Sequence, residues 1–387
     1  MPEILTPRDI LARLVAFPTI SNRSNLDLID WVADYLAGWG VASHRVPSPD
    51  GTKSNLYAVI GPRVPGGIAL SGHSDVVPVE GQAWSSDPFT LTERDGRLYG
   101  RGAVDMKGFV ALMLAAVPLA VRARLQRPLY LALSYDEETG CEGCIGMVEE
   151  MTRTLPAPAA VIVGEPSRFQ VINGHKGSLG LRIDFTGHEV HSSLAPYGVN
   201  ANMQAGHLIA WANAVTAEHA AAVPGPLAQA FDPPLTTVQV GRIHGGTADN
   251  ITAGSCWMTL GIRVVPGERI EDWDARVRAQ TDRIRAEMQA VHPATDVVVS
   301  RLFHVPLLAP EPDGAAEAIA TALTGQNSTG VVSYGTEAGH FQQNGWSTVV
   351  CGPGDIVQAH KADEYIEAAQ FDEGHAFVKR VIDWLER

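Results

Sequence analysis

The chain has 387 residues, of which 45% are hydrophobic and 19% are charged. This composition is typical of a globular enzyme with about two domains, and it excludes a disordered chain, a collagen and a coiled coil. The formal net charge of −14, without any run of Lys and Arg, argues against nucleic acid or an anionic membrane as a partner. Four cysteines are too few for a disulfide framework in a chain of this length.

Targeting and membrane signals are also missing from the sequence. The longest uncharged apolar run, 109–121, is interrupted by Pro118 and is shorter than the roughly 20 residues that a membrane span requires. The first residues do not combine a basic patch with an apolar stretch, so we expect no signal peptide and a cytoplasmic location. Sequence signatures of a phosphate-binding loop, a nucleophile elbow and a zincin helix are likewise absent.

The first part of the chain alternates between helices and apolar strands. In chain order, the pattern predicts a helix at 6–17 with Thr6 as its N-cap, a helix at 26–39, a strand at 68–71, a helix at 105–121, and strands at 129–134 and 159–163. Apolar strands that are separated by helices indicate a sheet buried on both faces.

The middle of the chain has a different pattern. It predicts a strand at 179–185, a helix at 201–218, strands at 235–243 and 255–265, a helix at 270–291 and a strand at 296–302. Strands that alternate apolar and polar residues indicate an antiparallel sheet with helices on one face. The buried pattern then returns, with a helix at 315–323, a strand at 348–351 and a helix at 369–385. We therefore predict a discontinuous catalytic domain, 1–176 and 305–387, with a second domain inserted at 177–304.

Side chains of the types that can bind metals follow four of the apolar strands. They are His73 and Asp75, then Glu137 and Glu138, then Glu165, and finally His360, while Asp105 stands at the head of the long apolar helix. If the strands are parallel, these side chains converge at one edge of the sheet. Crowded carboxylates repel one another unless cations are present. Mixed His and carboxylate ligands suit zinc or a similar ion, and their number favours two ions that share one carboxylate.

Each of these residues also has a simpler interpretation. An Asp such as Asp105 before a helix is usually an N-cap, a lone His after a strand is usually a polar residue with its hydrogen bonds satisfied, and Glu137-Glu138 alone is typical of a solvated loop. The repetition of metal-binding residue types at four strand ends favours the metal site.

Three motifs, 71–78 (SGHSDVVP), 100–108 (GRGAVDMKG) and 136–140 (DEETG), resemble those of the dinuclear zinc amidohydrolase family, which includes deacylases, carboxypeptidases and dipeptidases. The resemblance covers nearly the whole chain. It implies an α/β fold, in which a zinc-peptidase-like catalytic domain has a mixed, mostly parallel sheet between helices, plus an inserted α+β lid and dimerisation domain.

The resemblance also implies roles for the residues at the strand ends. His73, Asp105 and Glu165 would hold one Zn²⁺, and Asp105, Glu138 and His360 would hold the other, with Co²⁺ as an alternative metal and a water or hydroxide as a second bridge. Glu137 would be the general base, which takes a proton from water and gives it to the leaving amine. Asp75 would orient His73, and the peptide bond between Asp105 and Met106 would be cis.

Further residues are assigned to the substrate by the same resemblance. His191 would donate to the oxyanion, often from the partner subunit, and Asn250 and Arg263 would bind the substrate, where Arg suits a carboxylate. Lys176 and Ser178 would be contacts near the hinge or simply turn residues, and Gly335 and Thr336 would line the pocket with their main-chain N–H groups. Glu337 would either pair with the ammonium group of ornithine or be a supporting or surface residue.

The segments 334–341 and 351–364 look most like those of family members that deacetylate N2-acetylornithine. We therefore expect hydrolysis of N2-acetyl-L-ornithine to L-ornithine and acetate, a step of arginine biosynthesis, by a homodimer formed through the inserted domain. The alternatives are another N-acyl-amino-acid deacylase, a dipeptidase or carboxypeptidase, and a metal-free binding protein on the same fold. We interpret the pair Cys141 and Cys144 as ordinary cysteines near the site, and His188 as solvated.

Overall fold

A computed structural model describes residues 4–387 of the chain. Contacts between Cα atoms divide it into two compact units. The first contains the residues up to Gly174, Pro310–Val331 and Thr336–Arg387, and the second contains His175–Ala309 and Val332–Gly335. The long insertion begins and ends within five residues of the predicted limits. The short stretch Val332–Gly335, which lies within the predicted catalytic domain, belongs to the second unit.

The described residues form nine α-helices, which are α1 (Pro7–Val15), α2 (Leu26–Gly38), α3 (Lys107–Arg122), α4 (Ile145–Thr154), α5 (Ala201–Ala221), α6 (Ile270–Val291), α7 (Ala315–Thr324), α8 (Ala338–Gln343) and α9 (Ala368–Leu385). Short 3-10 helices occur at Ser192–Tyr197, Ala228–Ala230 and Ile356–Gln358.

Fifteen strands lie in the same part of the chain. They are β1 (Ser43–Pro47), β2 (Ser54–Ile60), β3 (Ile68–His73), β4 (Thr92–Arg94), β5 (Arg97–Tyr99), β6 (Leu129–Ser134), β7 (Ala160–Pro166), β8 (Val171–His175), β9 (Gly177–Thr186), β10 (Thr237–Gly245), β11 (Ser255–Val264), β12 (Asp296–Val305), β13 (Thr329–Val332), β14 (Thr348–Gly352) and β15 (Tyr365–Glu367).

An eight-stranded mixed sheet forms the core of the first unit, with the order β1-β2-β6-β3-β7-β14-β8-β13. Its central strands β6, β3, β7 and β14 are parallel, whereas β2 is antiparallel to β6 and β8 is antiparallel to β14. Every residue of β3, β6 and β7 is buried, which explains why these strands are apolar until their last residues. The predicted mixed, mostly parallel sheet is confirmed, and it places the carboxyl ends of the central strands at one edge.

Helix α3 is the most deeply buried helix of the first unit, and it packs against α1, α9 and β3. It begins at Lys107 after Met106 as its N-cap, so the interpretation of Asp105 as an ordinary helix cap is wrong. At the start of α1 the prediction is confirmed, because the side chain of Thr6 accepts from the amide of Asp9 in a capping box.

The second unit is built on a four-stranded sheet with the order β10-β11-β9-β12, in which all neighbours are antiparallel. Buried and partly exposed residues alternate along most of β11, and helices α5 and α6 pack on the sheet. This arrangement confirms the predicted α+β unit. Among residues 4–387, no helix combines the length and the apolarity needed to cross a membrane.

Candidate metal centre

The parallel strands of the first unit deliver the predicted metal-binding side chains to one edge of its sheet. His73 is the last residue of β3, and Glu165 lies near the carboxyl end of β7. Glu137 and Glu138 follow β6, and His360 lies in an irregular segment after β14. The carboxyl ends of parallel strands lie at the same edge of a sheet, so the polar side chains that end these strands lie close together.

Asp105 lies between two histidines. Its Oδ1 atom is 3.1 Å from Nε2 of His73, and its Oδ2 atom is 3.2 Å from Nε2 of His360. The carboxylate is almost completely buried, and the peptide bond that follows it is cis, as the resemblance implied. A carboxylate with one oxygen directed at each histidine can bridge two cations.

Glu138 lies beside His360, and Glu165 lies beside His73. Oε2 of Glu138 is 2.9 Å from Nε2 of His360, and Oε1 of Glu165 is 3.8 Å from Nε2 of His73. Glu165 is 4% exposed, and its Oε1 atom has no hydrogen-bond partner among the described residues. A buried carboxylate oxygen without a donor is costly unless a cation binds it.

The donor set fits divalent cations. Ligand atoms of His73, Asp105 and Glu138 lie within 4.8 Å of one another, and so do those of His73, Glu137 and Glu165. Atoms that share one zinc ion at about 2.0–2.2 Å are spaced by roughly 3–4 Å, so separations of 2.9–3.8 Å suit such a centre. Imidazole with carboxylate is the ligand mixture of zinc and similar ions.

Burial and mutual repulsion raise the pKa values of the three glutamates of this cluster, whereas the neighbouring histidines lower the pKa of Asp105. Burial raises the pKa of Glu137 to about 8 and that of Glu138 to about 7, and it raises the pKa of Glu165 well above its usual value. Hydrogen bonds to Asp105 and Glu138 raise the pKa of His360 to about 10. Metal binding would displace the protons of the groups with raised pKa values, because ligands coordinate in their deprotonated forms.

Asp75 supports His73 and the segment that follows β6. The Nδ1 atom of His73 lies 2.9 Å from the main-chain oxygen of Asp75 and 3.5 Å from its Oδ1 atom. The carboxylate of Asp75 accepts the amide N–H groups of Glu137 at 3.1 Å and of Glu138 at 3.3 Å, and the hydroxyl of Ser21 at 2.8 Å. Asp75 therefore both orients the ring of His73 and holds the main chain at Glu137 and Glu138.

Two further contacts at this segment are not indicated by the sequence motifs. The ammonium of Lys53 lies 2.5 Å from Oδ1 of Asp136, a residue with a φ angle of +55°. The thiol of Cys141 donates to Oε1 of Glu137 at 3.1 Å. Lys53 is about 80 residues away in the sequence, so no local pattern could have indicated this ion pair. For the contact between Cys141 and Glu137, the sequence offers one signal, because the two residues are only four positions apart.

Two residues that were assigned to the substrate in the first unit are buried instead. Glu337 is 0% exposed, and its two oxygens accept the hydroxyls of Ser71 and Ser134, each at 2.6 Å. Thr336 is 1% exposed, and its hydroxyl accepts from the amide of Ala338. These contacts argue against a pairing of Glu337 with a substrate ammonium. The predicted pocket role of Thr336 concerns its main-chain N–H, and the contact of its hydroxyl does not bear on that role.

Within the second unit, His191 and Asn250 lie on neighbouring segments. His191 pairs with Ile251 in an isolated β-bridge, and the main-chain oxygen of Asn250 accepts the amide of Ser192 at 2.9 Å. The side chain of His191 is exposed, and its Nδ1 atom is 2.8 Å from the hydroxyl of Ser193. The structure thus brings together two residues that are almost 60 positions apart.

The other predicted residues of this unit gather at one end of its sheet. Arg263 of β11 is directly opposite Ser178 of β9, and a Cβ atom at Gly335 would lie 3.3 Å from the main-chain oxygen of Lys176. Lys176 is 1% exposed, and its ammonium donates to the main-chain oxygens of Pro233 and Leu235. Lys176 therefore holds the loop before β10, which argues against a direct substrate contact.

His188 is not fully solvated, contrary to the prediction. Its ring stacks on that of His292, with 3.6 Å between the centroids and 5° between the planes, and both residues are partly buried. His292 follows helix α6, so the contact connects two segments of the second unit that are distant in sequence.

Comparison with known proteins agrees with this geometry. Residues 69–384 match the family model described as peptidase family M20/M25/M40. The protein is a hydrolase that acts on amide bonds. It belongs to the peptidase family M20/M25/M40, which confirms the resemblance seen in its motifs.

Three relatives show how far the similarity extends. The acetylornithine deacetylase of Salmonella agona is 35% identical over 386 residues, with 95% of this chain and 94% of that protein covered. An M20 family metallo-carboxypeptidase of Sulfolobus solfataricus has the same fold, with a TM-score of 0.79, 17% identity and 100% of each chain covered. The YXEP protein of Bacillus subtilis, described as a dinuclear metal-binding peptidase, has a TM-score of 0.62 at 15% identity, with 98% of each chain covered.

Proposed function

We propose that this protein hydrolyses N2-acetyl-L-ornithine to L-ornithine and acetate with two zinc ions. The observation that carries the proposal is the position of Asp105, with one oxygen directed at His73 and the other at His360. The identity to acetylornithine deacetylases over 95% of the chain supports the choice of substrate. Arginine biosynthesis in the cytoplasm is the proposed setting.

His73, Asp105 and Glu165 would hold one cation, and Asp105, Glu138 and His360 would hold the other. When bound, the cations supply Lewis acidity, which polarises the amide carbonyl and makes water a better nucleophile near neutral pH. Asp75 keeps the ring of His73 in place through the contacts to its Nδ1 atom.

Glu137 is the proton carrier in this proposal. It accepts a proton from the attacking water and gives it to the nitrogen of the departing amine. Burial raises its pKa to about 8 without cations, and neighbouring cations would lower that pKa toward the range of a general base. The hydrogen bond from Cys141 leaves the second oxygen of Glu137 available for proton transfer.

The second unit supplies the proposed substrate contacts. His191 donates a hydrogen bond to the oxyanion, and Asn250 and Arg263 bind the amino-acid portion, with the guanidinium paired to the carboxylate. We also propose a homodimer through this unit. Strands β10 and β12 are the edges of its sheet, and edge strands present main-chain groups that can pair with a second copy.

A substrate panel with metal analysis tests the proposal. Zinc-loaded protein is given N2-acetyl-L-ornithine, neutral N-acetyl amino acids, a dipeptide and a peptide with a free carboxyl terminus. We expect the highest kcat/KM for acetylornithine and two zinc ions per chain. The matched variants are Glu137→Gln, which should lower kcat by about 10³-fold or more, and Glu142→Gln on the same segment, which should retain activity. A preference for the dipeptide or for neutral acetyl amino acids would replace the proposed substrate.

A further inference from the structure

The segments that carry Asp105 and His360 are connected by a buried polar network. Arg101 lies four residues before Asp105, and Glu364 lies four residues after His360. The guanidinium of Arg101 is 2.6 Å from Oε2 of Glu364, and both side chains are 1% exposed. The ion pair therefore joins the two segments directly, away from solvent.

Glu364 also holds the main chain at Asp105. Its Oε1 atom accepts the amide N–H of Val104 at 3.0 Å and that of Asp105 at 3.2 Å. The carboxylate from the segment of His360 thus binds the backbone of the residue that lies between the two histidines. Charge-assisted hydrogen bonds of this kind are stronger than neutral ones, and they fix direction as well as distance.

Gln82 connects Arg101 to the segment of His360 through further hydrogen bonds. Its Oε1 atom accepts from Arg101 at 2.5 Å and from the indole of Trp84 at 3.1 Å, and its Nε2 atom donates to the main-chain oxygen of His360 at 2.9 Å. One amide group therefore connects Arg101 with the backbone of His360.

His360 needs such support more than the other residues of the centre. Its side chain is 51% exposed, its φ angle is +65°, and it lies outside the regular helices and strands. His73, by contrast, is fully buried at the end of β3. The neighbouring backbone contacts must therefore do more to place the ring of His360.

We infer that Gln82, Arg101 and Glu364 are positioning residues that set the spacing between Asp105 and His360. They thereby set the affinity of the protein for the cation that Asp105, Glu138 and His360 would hold, which is called the second cation below. This inference rests on the proposed dinuclear centre. Groups that orient metal ligands from behind commonly change metal affinity by about 10–100-fold when they are removed.

The experiment is a zinc titration of chelator-treated protein, carried out by calorimetry for wild type and for Gln82→Leu. Gln82 is only partly buried on a loop, so its replacement is not expected to unfold the protein. Gln126→Leu, at an exposed glutamine of the same unit, is the matched control. We expect wild type and control to bind two Zn²⁺, and Gln82→Leu to bind the first normally and the second about tenfold more weakly.

Activity at limiting zinc supplies a second readout. For Gln82→Leu, kcat should fall by about the fraction of protein that lacks the second cation and should recover in excess zinc, while KM stays within about twofold. Gln82→Asn keeps the amide but is one methylene shorter, so it cannot reach Arg101 and His360 together and should also weaken the second cation. These results would distinguish positioning from a general loss of stability, which excess zinc would not correct selectively.

The two proposals fail in different ways. If wild type does not bind two zinc ions, the proposed dinuclear centre is wrong. If wild type binds two and both variants bind them with unchanged affinity, the centre stands and the positioning role of Gln82 is overturned. An equal weakening of both cations would also overturn it, because Gln82 contacts the backbone of His360, which would hold only one of the two cations.

Discussion

The thiol of Cys141 lies 3.1 Å from the Oε1 atom of Glu137. A tight turn creates this contact, because the amides of Gly140 and Cys141 both donate to the main-chain oxygen of Glu137, at 3.0 Å and 2.9 Å. Cys141 has a φ angle of +57° and is 4% exposed, so its side chain is directed inward. The proposed general base thus has one oxygen fixed by a sulfur donor from its own turn.

Loss of this donor should slow the reaction without changing metal content. We expect Cys141→Ala to lower kcat by about fivefold, as removal of a hydrogen bond worth about 1 kcal/mol would, with KM and bound zinc unchanged. Cys141→Ser keeps a donor and should retain most of the activity. Cys256→Ala, at a buried cysteine of the second unit, is the control. Wild-type kcat for Cys141→Ala would show that the contact has no role.

Asp75 should be among the least replaceable residues that do not themselves hold a cation. An amide at this position would place N–H groups where the carboxylate now accepts from Glu137, Glu138 and Ser21. We expect Asp75→Asn to lower kcat by about 100-fold and zinc affinity by about 10–100-fold. Asp87→Asn is the control, since Asp87 also accepts a main-chain amide, that of Phe89, but is not part of the centre. Equal effects of the two variants would contradict the role of Asp75.

Glu337 should not determine substrate selectivity. Its carboxyl group is buried and accepts two serine hydroxyls, and burial raises its pKa above the usual value. We therefore expect Glu337→Gln to keep the ratio of kcat/KM values for acetylornithine and neutral acetyl amino acids within about twofold of wild type. A selective loss of activity toward acetylornithine would restore the hypothesis that Glu337 pairs with the substrate ammonium.

The stabilisation by zinc should increase with pH. Without cations, burial raises the pKa of Glu137 to about 8 and of Glu138 to about 7, and hydrogen bonds raise that of His360 to about 10. A group whose pKa is higher in the folded than in the unfolded state stabilises the fold fully below its unfolded pKa and loses that contribution as the pH rises through the folded pKa. The metal-free cluster therefore becomes less favourable from about pH 5 upward.

Thermal unfolding at two pH values tests whether the stabilisation by zinc increases with pH. Zinc replaces the protons of the cluster, so the rise in Tm on zinc addition should be larger at about pH 8 than at about pH 6. A smaller rise at the higher pH would mean that the carboxylates do not retain their protons in the metal-free fold.

Much of the first unit could be predicted because its strands are buried on both faces. β3, β6 and β7 are apolar runs, and parallel pairing then places their end residues together. The outer strand β1 was missed because it is mostly exposed and has no apolar alternation, and the short helix α4 lies in a stretch where no pattern was recognised. Local sequence shows burial and periodicity, and β1 has little of either.

The destinations of individual polar side chains were harder to predict. Glu337 and Lys176 are both candidate substrate contacts in the sequence, yet one binds two serines inside the fold and the other binds main-chain oxygens. Gln82 looks like an ordinary loop residue in the sequence, since its partners are 19 and 278 positions away. Such roles depend on which segments meet in the folded chain, and that information is not local.

The most direct test of the central claim is acetylornithine hydrolysis by protein from which metal has been removed with a chelator. Two equivalents of Zn²⁺ should restore an activity that is absent after chelation, and Asp105→Asn should bind fewer than two zinc ions and remain inactive. Full hydrolysis by chelated protein, or by Asp105→Asn, would contradict a reaction that depends on two cations bridged by this carboxylate.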